Sequence, residues 1–371
     1  MLRYLQIENF KSLKGLSLPM EGLNLYFGMN GMGKSSVIQS LLLLRQSYWD
    51  RNQRSISGLK INGELIDLGT SMDILCHNAE TDRIRLVACF DEDKKLDISF
   101  QNEIGQPPTE TMKVLESVSD DVSFCTEEPL FNKNFCYLGA DHISPRKEYS
   151  SVHWDVDGPN VLGSHGEFAV PYLAIYGDSI RVPEELCLAS GKTNRLYDQV
   201  SAWMSEISPG VKLSATFQPY EQRAKLYIRY AGQRLDSTPF LPMNVGFGIP
   251  YVLPMVIALL VSGSDGLLMI ENPESHLHPR GQTRMAELIA RVAARGTQII
   301  CESHSDHVIN SIRVAVKNKV LSEHKLSVVY FDKDEDQNTK TTEIAIDCNG
   351  NLSDYPQGLL DEWGILMSAL L

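Results

Sequence analysis

Four stretches of this chain carry residues whose types and spacing can do chemistry. Gly28-Met29-Asn30-Gly31-Met32-Gly33-Lys34-Ser35 fits the pattern G-x-x-x-x-G-K-[ST] in full. Glycines at 28, 31 and 33 let the backbone curl, with Asn30 between them, until several N–H groups face one anion. Lys34 then reaches the outer phosphates, Ser35 offers its hydroxyl to magnesium, and Ser36 leads into a helix whose positive end faces the same anion. Leu267-Leu268-Met269-Ile270-Glu271 is an apolar run ending in a carboxylate, able to hold magnesium beside a phosphate loop. It continues as Asn272-Pro273-Glu274-Ser275-His276-Leu277-His278. Gln298 to Ser305 is a second apolar run, ending in His304, which can reach a γ-phosphate or its attacking water. Between the glycine loop and Leu267, Asn244-Val245-Gly246-Phe247-Gly248-Ile249-Pro250 is a glycine-rich turn opening a helix, and so a second anion-binding candidate at Gly246 and Gly248.

The elements that must position these residues are legible as hydrophobic patterns. Leu2 to Ile7 and Leu16 to Leu18 read as short strands. Leu23 to Phe27 is the strand feeding the glycine loop, and Ser36 to Leu44 continues without a breaker as a helix. Arg83 to Phe90 and Lys95 to Phe100 read as an antiparallel pair around Asp91-Glu92-Asp93, and Gln106-Pro107-Pro108-Thr109 as a loop. Asn194 to Ile207 suits a helix, and Val211 to Phe217 with Lys225 to Tyr230 a hairpin. After Pro250 the texture becomes helix–strand alternation. Leu267 to Ile270, Thr297 to Cys301 and Leu326 to Phe331 are buried strands, and Arg280 to Ala294 and Asp306 to Lys317 are helices. The expected organisation is an N-terminal half at 1–55, an inserted lobe at 56–240, a C-terminal half at 241–320 and a tail at 321–371.

Bulk properties narrow the function. The chain has 371 residues, 43% hydrophobic and 22% charged, ordinary for globular material. Seven cysteines without a C-x-x-C pair suit a reducing, cytoplasmic setting. The N-terminus has no apolar stretch of signal-peptide type, and the run from Ile249 to Val261 is too short to span ~30 Å of hydrocarbon, so no membrane anchor is expected. Net charge is −13, and Glu80 to Glu128 carries 13 acidic against five basic side chains. Non-specific nucleic-acid binding rests on phosphate neutralisation, so the charge does not indicate it. Asp332-Lys333-Asp334-Glu335-Asp336 could hold magnesium for phosphodiester cleavage but reads better as a solvated hairpin turn.

The order of these motifs resembles the ABC-type ATPase heads of the RecF, SMC and OLD (overcoming lysogenization defect) group. IENFKSLKGLSL with LYFGMNGMGKSS is similar to their opening and Walker A segment. NVGFGIPYVLP sits where they carry the signature loop, IENPESHLHP is similar to Walker B and D-loop, and CESHSDHVINSIR to the histidine switch. DYPQGLLDEWG resembles the tail of a subfamily with no assigned function. The resemblance implies an α/β P-loop NTPase of ABC-head type, with a mixed sheet and an inserted β-rich and helical lobe. It implies ATP and Mg2+ as ligands and a head-to-tail homodimer, in which Gly246 and Gly248 close over the partner's nucleotide. By analogy it implies a sensor or regulatory ATPase of prokaryotic anti-phage defence, controlling an effector such as a nuclease or toxin. The alternatives are a DNA-repair ATPase of RecF kind or a self-contained OLD-like nuclease. Against the latter, only ~65 residues follow the histidine switch, where an added domain needs ~100. Many relatives have an acidic residue directly after the Walker B carboxylate, and here that position is Asn272, an amide that orients water but is no base. The expectation is slow turnover, with Glu274 and His304 dividing the task and Glu271 kept for magnesium. Alternatively, Glu274 caps the helix that follows or binds the nearby histidines.

Overall fold

Alternating residues at the start of the chain form the antiparallel pair β1 (Tyr4–Phe10) and β2 (Leu13–Pro19), which buries Leu5, Ile7, Phe10, Leu13, Leu16 and Leu18. The wholly buried β3 (Leu23–Phe27) follows, then the glycine loop and α1 (Lys34–Tyr48). Leu41 to Leu44 of α1 are fully buried, each contributing about 2 kcal/mol of transfer free energy. Next come β4 (Gly58–Lys60), α2 (Ser71–Ile74), β5 (Arg83–Asp91), β6 (Lys94–Gln101), β7 (Thr111–Ser117), β8 (Phe135–Leu138) and β9 (Tyr149–Ser150). Then follow α3 (Ala169–Tyr176), α4 (Leu196–Ile207), β10 (Val211–Gln218), β11 (Arg223–Tyr230), α5 (Gly248–Val261), β12 (Leu267–Glu271) and α6 (Pro279–Ala294). The chain continues through β13 (Gln298–Glu302), α7 (Asp306–Lys317), β14 (Leu326–Lys333), β15 (Thr339–Ile344) and α8 (Glu362–Leu370). This computed structural model describes residues 1–49, 55–91, 94–101, 108–118, 122–232 and 235–370. Glu92 and Asp93 of the expected β5–β6 turn, and Gln106 and Pro107 of the expected loop, lie outside the described residues.

The chain divides into two compact units, residues 1–135, 300–304 and 322–371 against residues 136–299 and 305–321. The first unit contains a six-stranded sheet in the order β2-β1-β5-β6-β7-β4. Strands β4 to β7, expected as part of an inserted lobe, thus share a sheet with the N-terminal strands. The same unit holds the strand order β15-β14-β3 followed by the end of β13. β14 runs parallel to β3, pairing Leu326 with Leu23 through to Tyr330 with Phe27, whereas β15 returns antiparallel to β14. The sheet is therefore mixed. The acidic segment Asp332 to Asp336 leads into the β14–β15 turn, which Asp334 closes by accepting from the Gln337 and Asn338 N–H groups. It is the hairpin turn that the sequence favoured.

The second unit carries β12 and β8, the three-stranded sheet β10-β11-β9, and helices α3 to α7. α6 and α7 are strongly amphipathic and bury Met285, Leu288, Ile289, Val308, Ile309 and Ile312. Proline at N1 and the His278 ring, whose Nδ1 accepts from the Arg280 N–H at 3.3 Å, start α6. Among the described residues no helix is long and apolar enough to cross a membrane.

Candidate functional site

The phosphate-loop pattern occupies the turn between β3 and α1. Gly28 has φ 137° and Gly33 φ 101°, conformations that side chains rarely adopt. Space adds a second requirement. A Cβ on Gly28 would strike the Phe331 carbonyl of β14, and one on Gly33 would strike Thr339 Oγ1 of β15. Thr339 braces the loop from behind, donating its hydroxyl to Met32 O at 2.9 Å and lying 2.8 Å from Ser12 Oγ. Gly31 also has positive φ, at 80°, and Asn30 is exposed beside it. Gly33 caps α1, and the Ser36 N–H donates to the Gly33 carbonyl at 3.1 Å. The loop therefore stands at the N-terminus of a 15-residue helix, where backbone N–H groups and the helix dipole favour an anion.

Lys34 is 2% exposed, its ammonium donating to the Gly28 and Met29 carbonyls at 2.9 and 2.8 Å. The end of β13 is tied to β3 by the Ser303 N–H, which donates to Tyr26 O at 3.0 Å. That register brings Glu302, a buried carboxylate, to the loop. Ser35 donates its hydroxyl proton to Glu302 Oε2 at 2.7 Å, and Glu302 Oε1 lies 3.6 Å from Lys34 Nζ. His304 follows, with Nε2 3.8 Å from Glu302 Oε1. Burial and then the Lys34 cation hold His304 below the ordinary histidine value, against the opposing pull of Glu302 and the Gly28 backbone. Its imidazole is therefore neutral near pH 7. Ser35 and Glu302 together make a pair of hard oxygen donors, the chemistry that magnesium takes. Sequence reasoning missed Glu302 and Thr339. Glu302 had a signal in the sequence, a charge closing an apolar strand two residues before His304, but Thr339 had none.

The remaining expected residues belong to the second unit. Glu271 ends β12, 7% exposed, and accepts from the Tyr137 hydroxyl at 2.8 Å. Asn272 is left-handed at φ 50°, a conformation asparagine tolerates, and its buried Oδ1 has no partner among the described residues. Glu274 is 9% exposed, and its backbone carbonyl accepts from the Leu277 N–H. The Gly246–Gly248 turn packs against the segment after β12. Phe247 lies 5.9 Å from the His276 ring, and a Cβ on Gly248 would strike the His276 carbonyl. Gly248 thus serves close packing. Gly246 differs, since a Cβ there would meet nothing within 4 Å among the described residues. Gly246, Gly248, Ile249, His276, His278 and Arg280 line a cleft of about 500 Å3.

A mixed sheet with a glycine loop between strand and helix, backed by the later motifs in order, defines a P-loop protein of ABC-head type. The chain belongs to the family described as "AAA domain, putative AbiEii toxin, Type IV TA system", whose model matches residues 24–310. Residues 321–370 match a second family, "Protein of unknown function (DUF3696)". A stretch of 148 residues is 27% identical to the DNA replication and repair protein RecF of Shewanella pealeana. It covers 39% of this chain and 40% of RecF, so the match spans well under half of that relative. The fold is similar to an SMC head bound to the C-winged helix domain of ScpA, with TM-score 0.55 and 13% identity over 93% of this chain and 98% of that one. It is also similar to the Pyrococcus furiosus Smc head with an extended coiled coil, bound to the C-terminal domain of ScpA. There the TM-score is 0.51 at 12% identity, over 100% of this chain and 99% of the other. This chain is therefore a member of that AAA family with the fold of an ABC-type head, followed by a segment that matches a family of unknown function.

Proposed function

We propose that the protein binds and hydrolyses ATP with magnesium at Gly28 to Ser36 and uses that cycle to regulate a partner. The arrangement of Lys34, Ser35 and Glu302 around the glycine loop carries this reading. Backbone N–H groups at the start of α1 hold the phosphates, and Lys34 neutralises the outer ones. Ser35, as hydroxyl donor, and Glu271, as the Walker B carboxylate by motif order, would hold a magnesium ion, which would supply charge neutralisation to the phosphates. Asn272, whose buried Oδ1 has no partner among the described residues, orients the attacking water. Glu274 and the neutral His304 share acceptance of its proton.

We further propose a head-to-tail pair, or a higher oligomer, in which the Gly246 turn of one protomer covers nucleotide on the other. The SMC heads similar in fold are seen with a partner protein, and a family described through a type IV toxin system suits a cytoplasmic defence ATPase acting on an effector. The decisive test is Lys34→Ala, which should abolish ATP binding measured by calorimetry. Unchanged affinity would mean that the loop is structural only. A DNA-repair role of RecF kind is the second reading, favoured by the 148-residue similarity and opposed by the net charge of −13. A gel shift at physiological salt separates the two.

A further inference from the structure

Ser35 has one hydroxyl proton and two lone pairs, and the proton is committed to Glu302 Oε2 at 2.7 Å. The lone pairs are thereby left for an electrophile at the loop. The other Glu302 oxygen lies 3.6 Å from Lys34 Nζ, and the carboxylate is only 4% exposed. Lys34 is also the cation that would meet the outer phosphates. A phosphate entering the loop alone thus competes with Glu302 for one ammonium and meets its negative charge in a poorly solvated site, where like charges repel strongly. A divalent cation between Ser35, Glu302 and the phosphate removes both penalties at once.

We infer that Glu302 is a positioning residue that couples nucleotide binding to magnesium. It orients the Ser35 oxygen toward the metal and disfavours nucleotide arriving without it. The inference rests on the reading of Gly28 to Ser36 as a nucleotide site. The charge is what matters, so Glu302→Gln, which keeps the shape, separates this role from packing.

The experiment is equilibrium binding of ATP by calorimetry to the full chain, in excess magnesium and in excess EDTA. For the wild type, removing magnesium should weaken binding by about 100-fold, and for Glu302→Gln by less than about tenfold, with tighter metal-free binding than the wild type. Equal magnesium dependence in the two proteins overturns the inference while leaving the nucleotide site standing. A wild type that binds no ATP even with magnesium overturns the nucleotide-site reading and this inference with it. Ser35→Ala provides an independent arm should the glutamine variant fail to fold. It keeps the carboxylate, so metal-free binding should stay weak and magnesium should rescue it by less than about tenfold. Full rescue by magnesium in Ser35→Ala overturns the assignment.

Discussion

Lowering the pH from 7 to 5 should cost the second unit about 2 kcal/mol of stability through His142 alone. The ring of His142 stacks on Tyr251 of α5, 4.1 Å between centroids at 13°, and Nδ1 is 2.8 Å from the Tyr251 carbonyl, to which it donates. Its buried Nε2 makes no hydrogen bond among the described residues, and of the backbone only the Gly139 and Tyr251 carbonyls favour a protonated ring. Burial therefore pushes the imidazole down to about 4 from an ordinary 6.5, although the Tyr251 carbonyl and the Asp141 carboxylate pull upward and His165 opposes them. Because the folded value is depressed, the contribution is full above pH 6.5. As the pH falls, the unfolded chain takes the proton first, and stability is lost until the folded state is protonated near pH 4. A full unit of separation is worth about 1.4 kcal/mol, so the whole window holds about 3 kcal/mol, most of it spent between pH 6.5 and 4. Urea unfolding of wild type and His142→Phe at pH 7, 6 and 5 measures it. The variant loses the bond to Tyr251 at every pH, so the informative quantity is how the difference between the proteins changes with pH. It should shrink by about 2 kcal/mol from pH 7 to pH 5. A pH-independent difference would show that His142 titrates alike folded and unfolded, refuting the burial argument. Tyr251 lies near the start of α5, so acid should loosen the helix that carries the Gly246–Gly248 turn.

Gly246→Glu should leave ATP binding intact and lower phosphate release at least tenfold, about 1.4 kcal/mol in the barrier, by setting a like charge against the partner's nucleotide. Gly248 is unsuited to that test, since any Cβ there disturbs the His276 backbone; an unaltered rate in Gly246→Glu would dispose of the trans contact. Glu274→Gln should bind ATP normally and hydrolyse it at least tenfold more slowly, again about 1.4 kcal/mol. A wild-type rate in that variant, with activity lost in Asn272→Ala, would move water positioning wholly to Asn272.

The sequence by itself determined the class of this protein. Phosphate binding by backbone N–H groups demands glycines at fixed offsets followed by Lys34 and Ser35, and buried strands leading to Glu271 and His304 demand unbroken apolar runs. Such constraints are local, so they survive as spacing, and Leu23–Phe27, Leu267–Glu271 and Asp306–Lys317 formed where their patterns indicated. Only the tertiary structure decided what surrounds those residues. Glu302 meets Ser35 across 267 positions, and Thr339 meets Met32 across 307. Both contacts follow from strand order, with β3 set between β14 and β13, which no periodicity encodes. Gly248 looked like a phosphate contact in the sequence, whereas the fold also requires glycine there for close approach to His276. Strands β4 to β7 join the N-terminal sheet because β1 pairs with β5, a long-range pairing that the hairpin pattern at 83–100 does not encode. Short-range chemistry is written in spacing, whereas proximity between distant segments depends on register and packing that emerge only when the chain is folded.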